Sequence, residues 1–570
     1  MRARALARLL AVLGIAGGVL VATAAPAWAH AVLLNTSPPS GTVVAQAPNQ
    51  ITLSYNENVE ISLGSVALYN CAGKRLSTSP PKHGSSDHIV VLGGIPQLPN
   101  GTYVVSWRVI SADSHPVHGA FSFQVGAGAG QGLAACATAA TNAKSSTAVG
   151  ALYAIARVAL YVGLALLIGG AVFLVLIARN TSAAPKTLLL TWIGWGIVAV
   201  ATIGGIMLQG PYGAGTGIGD ALHWAVVDDI LTARYGHIAE IRLLLLVLAF
   251  VVVYLLGRSD RRKPIPPWLW VGGVLVGLGI ASTPGLAGHA ATGDNVVFAV
   301  PLDTLHVAAM AVWLGGLAAL IVAALGGGFS GGLRRALITF SRLAFWCVIV
   351  LIVTGVFAAW RQVGFSLDGF LHTSYGNILL VKIGLVVVLV GIAAISRSIV
   401  RRRRAAPLDA PDSVIAAVDT RTVTGLRQSV GLEVLVGIAV LLVTALLVNA
   451  QPARSVLAPK LFATELKAGT GSDAMLIDIT IDPSRAGPNA IHIYALTPQG
   501  ASLTVRQISA SMSLPSKGID EFNLPLQRGG PNHFLATSAD IPLSGNWRLV
   551  VHVLRTAFDD TAATTKVPIR

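Results

Sequence analysis

The chain has 570 residues, 54% of them hydrophobic and only 11% charged, with a formal net charge of +15. Soluble globular domains carry roughly 25% charged residues, so an ordinary soluble chain is excluded and a membrane protein is expected. The positive charge falls in loops between apolar segments, so no nucleic-acid partner is needed to explain it, and with no Gly-rich loop ending in Gly-Lys-Ser/Thr in the sequence no nucleotide partner is expected.

The first element reads as a leader. Arg2, Arg4 and Arg8 precede an apolar core from Leu9 to Val21 and a small-x-small site at Ala27-Trp28-Ala29. That core is short beside the ~20 residues of a membrane helix, so residues 1–29 are predicted to be a signal peptide. Cleavage after Ala29 would make His30 the first mature residue and convert its amide nitrogen to a free amine. Amine and imidazole of one histidine can then chelate one ion.

Residues 30–125 predict a small β-sandwich: short runs rich in β-branched and aromatic residues, punctuated by Pro80-Pro81 and Pro99-Asn100-Gly101. In Ser111-Ala112-Asp113-Ser114-His115, a carboxylate and an imidazole stand two residues apart, ahead of an alternating strand at Ala120 to Val125. Extended backbone puts residues i and i+2 on one side. Asp113 and His115 are therefore expected to face one ion and, with the two nitrogens of His30, to form an N,N,N,O set. Tetragonal geometry of that kind suits Cu(II).

His30 behind a leader, Ser37-Pro38-Pro39-Ser40-Gly41, Ser54-Tyr55-Asn56-Glu57 and Ser111 to Gly119 together resemble the CopC family of periplasmic copper-binding proteins. The resemblance implies Cu(II) ligation by His30, Asp113 and His115, and a supporting role for the acidic Glu57. The methionines are Met1, Met207, Met310, Met475 and Met512. None lies in this domain, which argues against a thioether site for Cu(I) there. His118 stands either as a further ligand or as a solvated surface residue.

Residues 126–150, rich in Gly, Ala, Ser and Thr, read as a linker. Cys136 lies in it and Cys71 in the β-domain. A disulfide between them suits an oxidising compartment; the alternative is two free thiols able to bind or reduce copper.

Residues 151–450 hold eight apolar spans, near 152–177, 188–209, 238–256, 268–284, 302–325, 343–360, 378–395 and 431–450. Arg258, Arg261, Arg262, Lys263, Arg334, Arg335, Arg397 and Arg401 to Arg404 fall in alternate loops, whereas the intervening loops have little beyond Arg234 and Arg361. The positive-inside rule makes the basic loops cytoplasmic and both flanking domains extracytoplasmic. The spans also repeat. Tyr235-Gly236 with Arg242 in the third answers Tyr375-Gly376 with Lys382 in the seventh, and Gly169-Gly170 in the first answers Gly315-Gly316 in the fifth. A four-helix parallel duplication is predicted.

The fifth span, Asp303-Thr304-Leu305-His306 to Gly315-Gly316, resembles the CopD family of copper-handling membrane proteins, as do Gly288-His289-Ala290, Phe340-Ser341-Arg342-Leu343 to Thr354-Gly355, and Tyr375-Gly376. A CopC–CopD fusion of this order resembles YcnJ-type copper proteins, which implies copper import across the plasma membrane. The residues themselves add a pathway. His306 and Met310 share a helical face, where imidazole and thioether could pass Cu(I). Ionisable residues within a span are functional suspects, so Asp303 is either a metal residue or the ion-pair partner of Arg157. His289 and His237 are candidate entry ligands.

Residues 455–570 return to strand patterning and predict a second extracytoplasmic β-sandwich, with its histidines scattered and protein-partner docking as its conceivable role. Taken together, the sequence predicts a multi-domain membrane protein that handles copper and is not an enzyme. Two alternatives stand beside import. One is a membrane-anchored sequestering or sensing protein, and the other is a copper oxidative enzyme built on the N-terminal histidine.

Overall fold

A computed structural model of the chain describes residues 31–39, 42–126, 147–293, 295–324, 331–364, 366–402, 412–457, 462–498, 502–556 and 559–569. The leader, His30, nearly all of the linker and Cys136 lie outside the described residues. Two compact units are distinguished. One holds Ala112–His115 with Ser145–Val456; the other holds Ala31–Ser111, Pro116–Lys144 and Leu457–Arg570.

The N-terminal strands are β1 (Leu33–Ser37), β2 (Val43–Val44), β3 (Ile51–Tyr55), β4 (Val59–Asn70), β5 (Lys82–His83), β6 (Ile89–Leu92), β7 (Gly101–Ser111) and β8 (Pro116–Val125). They form two four-stranded sheets, ordered β1-β3-β6-β5 and β2-β8-β7-β4. Alternation selects the inward residues: Ile51, Leu53 and Tyr55 of β3 are buried while Thr52 and Ser54 are half-buried. Residues of both sheets, among them Leu53, Val90, Val105 and Phe121, share one core. β8 begins at Pro116, four residues before the alternating run seen in the sequence, because Pro116 to Gly119 pair with Ile110 to Trp107. Gly119 makes room there, since a Cβ on it would lie 2.6 Å from the Trp107 ring. Cys71 is disulfide-bonded, and Cys347 is a buried free thiol.

The helical unit contains α1 (Thr147–Ala178), α2 (Ala184–Ala214), α3 (Trp224–Thr232), α4 (Arg234–Arg258), α5 (Pro267–Leu286), α6 (Val296–Ala324), α7 (Gly331–Val363), α8 (Leu367–Leu371), α9 (Ser374–Arg402) and α10 (Asp412–Asn449). Among the described residues, eight of these helices are long and apolar enough to cross a bilayer; α3 and α8 are the short ones. α1 and α6 meet where Gly169 lies against Ala311 and Gly315, and Gly315 against Ala165. A side chain on either glycine would overlap the opposite backbone, so this crossing requires glycine on both helices. Each short helix directly precedes a long one, α3 before α4 and α8 before α9. Gly236 of α4 packs on the backbone at Ile230 of α3, and Gly376 of α9 on that at Gly369 of α8.

The C-terminal strands are β9 (Phe462–Ala468), β10 (Met475–Asp482), β11 (Gly487–Leu496), β12 (Gln507–Leu514), β13 (Ile519–Asn523), β14 (Gln527–Arg528), β15 (His533–Ile541), β16 (Gly545–Leu554) and β17 (Asp560–Ile569). Their sheets are ordered β14-β15-β11-β10-β9 and β13-β12-β16-β17. Ile477, Ile479, Ile493, Leu549, Val551 and Trp547 form a shared core around the indole. His492 and His533 are not scattered as the sequence suggested: strand pairing of β11 with β15 makes them neighbours.

Candidate metal centre

The turn between β7 and β8 carries Asp113 and His115. They do not meet by strand alternation. Ser114 has φ +70°, a left-handed residue between them, and this tight turn swings both side chains together. The His115 amide donates to Asp113 Oδ1 at 3.2 Å, fixing the carboxylate against the turn. Asp113 is fully buried and His115 nearly so.

His289 completes the group. It begins a single 3-10 turn, His289–Ala291, that follows α5. Its Nδ1 lies 2.6 Å from Asp113 Oδ2, while His115 Nδ1 lies 3.3 Å from Asp113 Oδ1. The two rings are nearly parallel, at 10° with centroids 4.9 Å apart. One carboxylate thus addresses two imidazoles, one through each oxygen. Such a short contact places the His289 proton on Nδ1 and its lone pair on Nε2, the carboxylate–histidine arrangement that orients metal ligands. Ligand atoms of Asp113, His115 and His289 all lie within 4.8 Å of one another. Two ligands at ~2.1 Å from one ion are at most about 4.2 Å apart, so small side-chain rotations suffice to close on a metal. Burial pushes the His115 imidazole down to about 4, against the opposing pull of Asp113, so it is a neutral donor at pH 7.

Backbone clamps hold the two turns. Gln209 Nε2 of α2 donates to Ser114 O at 2.9 Å, and Ser114 Oγ donates to Ala287 O at 2.9 Å. Arg234 donates to Ala112 O at 2.9 Å, Leu286 O at 3.1 Å and Ala291 O at 3.4 Å. Arg361 donates to His289 O at 2.6 Å and also to Thr292 O. Sequence reasoning noted Arg234 and Arg361 only as exceptions to the loop-charge pattern. That exception was the signal, because a cation kept on the sparsely charged side needs local acceptors. Gln209, a polar residue inside an apolar span, carried a similar one.

The remaining expected residues fall elsewhere. Glu57 accepts a hydrogen bond from Ser111 Oγ, which itself accepts from the amide of Ala31 at 3.2 Å. The residue after His30 is therefore tied to the last residue of β7. His118 is exposed on β8 opposite Arg108, and His237 is exposed in the first turn of α4. Neither belongs to the three-residue group.

Within the spans, Asp303 does not pair with Arg157. Arg157 donates to Tyr153 and Asn449 instead. The Asp303 carboxylate packs over Gly285, four residues before His289, in the field of Lys382 and Arg361. One turn further along α6, His306 Nδ1 lies 2.8 Å from Thr354 Oγ1 of α7. The Thr354 hydroxyl donates to Val350 O at 2.6 Å, so its oxygen accepts from His306 Nδ1–H and leaves the imidazole lone pair on Nε2. Met310 is half-buried against the cluster that includes Leu160, Leu164 and Val307, and the His306 ring lies beside Gly355, where a Cβ would be 3.6 Å from it.

Three families match the chain. The CopC domain family covers residues 33–126, the copper resistance protein D-like N-terminal domain family 146–299, and the copper resistance protein D family 334–447. Copper transport protein CutJ of Bacillus subtilis (strain 168) is 25% identical over 543 residues, 94% of this chain and 94% of CutJ. Protein YobA of Escherichia coli (strain K12) is 35% identical over 101 residues, 17% of this chain and 80% of YobA. Copper resistance protein C of Escherichia coli is 31% identical over 118 residues, 20% of this chain and 93% of that relative.

Proposed function

Since the chain belongs to the CopC and CopD copper-resistance families, joined in one multi-pass membrane polypeptide, we propose that it captures Cu(II) outside the plasma membrane and imports copper through its helices. The observation that carries this reading is the convergence of Asp113 and His115 with His289. CopC-type residues thereby meet a residue that adjoins the CopD-type spans.

In this reading, leader cleavage frees the His30 amine, and His30, Asp113 and His115 bind Cu(II) as an N,N,N,O set. The anchoring of Ala31 by Ser111, with Glu57 behind it, supports the placement of His30 near Asp113. His289 then competes for the ion and draws it toward the spans, where Asp303 and His306 Nε2 offer the next donors. A Cu(I) ion suits the His306 imidazole with Met310 as a neighbouring thioether. The glycine crossing of α1 with α6 and the matched α3/α4 and α8/α9 junctions support the parallel four-helix repeat. With the basic loops inside, both β-domains lie outside, and the C-terminal one is free to dock a protein partner.

Copper uptake by reconstituted vesicles tests the proposal. Wild-type protein should accumulate copper above empty vesicles. The His306→Ala variant should lose uptake while its equilibrium Cu(II) binding stays within about twofold, because the capture centre is untouched. Uptake no greater than that of empty vesicles would leave a membrane-anchored sequestering protein as the better account.

A further inference from the structure

The C-terminal domain contains a second pair of imidazoles that the function above does not use. His492 Nδ1 of β11 and His533 Nε2 of β15 are 3.1 Å apart. The planes differ by 13°, with centroids 5.3 Å apart. That separation is close to the nitrogen–nitrogen distance plus two ring radii, so the rings lie edge to edge and their nitrogens point at each other. One nitrogen donates the shared proton and the other accepts it. Both residues are more than nine-tenths buried.

The surroundings hold this arrangement. The Tyr494 ring stacks on His533 at 4.1 Å and 6°, covering one face. Gly529 keeps the far side clear, since a Cβ there would lie 2.9 Å from His533 Nδ1. Asp478, 4% exposed, pairs across the ladder with Tyr494 and places a negative charge one strand away. The Tyr494 hydroxyl is buried without a hydrogen-bond partner among the described residues.

We propose that His492 and His533 form a second copper site, selective for a monovalent d10 ion, Cu(I), bound between two opposed imidazole nitrogens. Two nearly collinear nitrogens do not satisfy Zn(II), which takes four ligands, or Cu(II), which favours tetragonal sets. They match the two-coordinate preference of Cu(I). Insertion lengthens the nitrogen–nitrogen distance from 3.1 Å to roughly 4 Å for metal bonds of ~2.0 Å. The shared proton moves to the other nitrogen of its own ring, so no proton is released and the site gains one positive charge. This proposal rests on copper reaching the protein, but not on the Asp113 centre.

The test uses the full chain in detergent, anaerobically, with Cu(I) buffered by a chromogenic chelator. An Asp113→Asn/His115→Gln/His306→Ala/Met310→Leu background removes the first centre and the His306 and Met310 donors proposed for Cu(I) in the spans. In that background the protein should retain Cu(I), and its X-ray absorption should show two nitrogen scatterers. Adding His492→Gln and His533→Gln should lower the retained Cu(I) by one ion per chain, while adding His552→Gln, at an exposed histidine, should leave it unchanged. Equal Cu(I) retention with and without the buried pair would overturn the proposal. So would absorption showing sulfur ligation, a readout that does not depend on how the variants fold.

Discussion

The two histidine groups differ in how the chain assembles them. Asp113, His115 and His289 come from two turns, neither of them within regular strand or spanning helix, held by donors to backbone carbonyls from Gln209, Arg234 and Arg361. His492 and His533 sit on paired strands, and ladder register alone makes them neighbours. The first group contains a buried carboxylate that contacts both imidazoles; in the second the imidazoles contact each other. A carboxylate adds anionic charge and hard oxygen, which favours Cu(II), whereas two neutral imidazoles leave a small, low-coordination site. A shared residue type therefore serves two proposed oxidation states, according to what stands between the rings.

The sharpest way to break this comparison is to remove the charge that separates the two groups. Asp113→Asn should weaken Cu(II) binding by on the order of 100-fold or more without changing Cu(I) retention at His492 and His533. Equilibrium dialysis with each ion checks it, and a parallel loss of both ions would join the two groups into one unit. The next largest effect is expected at the clamps. Arg234→Ala removes hydrogen bonds to three backbone carbonyls that hold both turns, and should cost about 10-fold to 100-fold in Cu(II) affinity. Its tetragonal Cu(II) spectrum should persist, because no ligand is lost; a changed electron paramagnetic resonance spectrum would make Arg234 more than a positioning residue.

A smaller effect separates turn-built from register-built geometry. Gly529→Ala crowds His533 Nδ1 and should reduce Cu(I) affinity by about 10-fold, with Cu(II) titration unaltered. The smallest is Ser114→Gly. Glycine tolerates the left-handed backbone but gives up the Ser114 hydroxyl bond to Ala287 O. These effects oppose, so Cu(II) affinity should stay within about threefold of wild type. A large loss, measured by the same titration, would show that the hydroxyl bond rather than backbone conformation sets the turn.

Much of this architecture was legible beforehand. Eight apolar spans follow from hydropathy and length, because hydrocarbon forces the chain to satisfy its own backbone bonds along each crossing. The β-domains follow from alternation at Ile51-Leu53-Tyr55 and Ile477-Ile479-Ile481. The residue types of the first centre were also visible, through the Asp-x-His spacing. The local geometry was not: Asp-x-His spacing predicts extended backbone where Ser114 makes a turn, since its left-handed φ has no sequence mark as clear as glycine. The Asp303 to Arg157 pairing failed for a related reason. Matching places in two spans need not face each other, and Asp303 turns to Gly285, in the field of Lys382 and Arg361, instead.

The amino-acid order alone determined the class of protein, the number of crossings and the chemistry on offer at Asp113, His115, His289 and His306. These depend on composition and on short periods that any segment expresses by itself. Only the tertiary structure decided which donors share a site. His289 reaches Asp113 across 176 residues, and His492 reaches His533 across 41. Spacing in sequence says nothing about such distances, because they are set by how turns are clamped and how strands register after the core has closed.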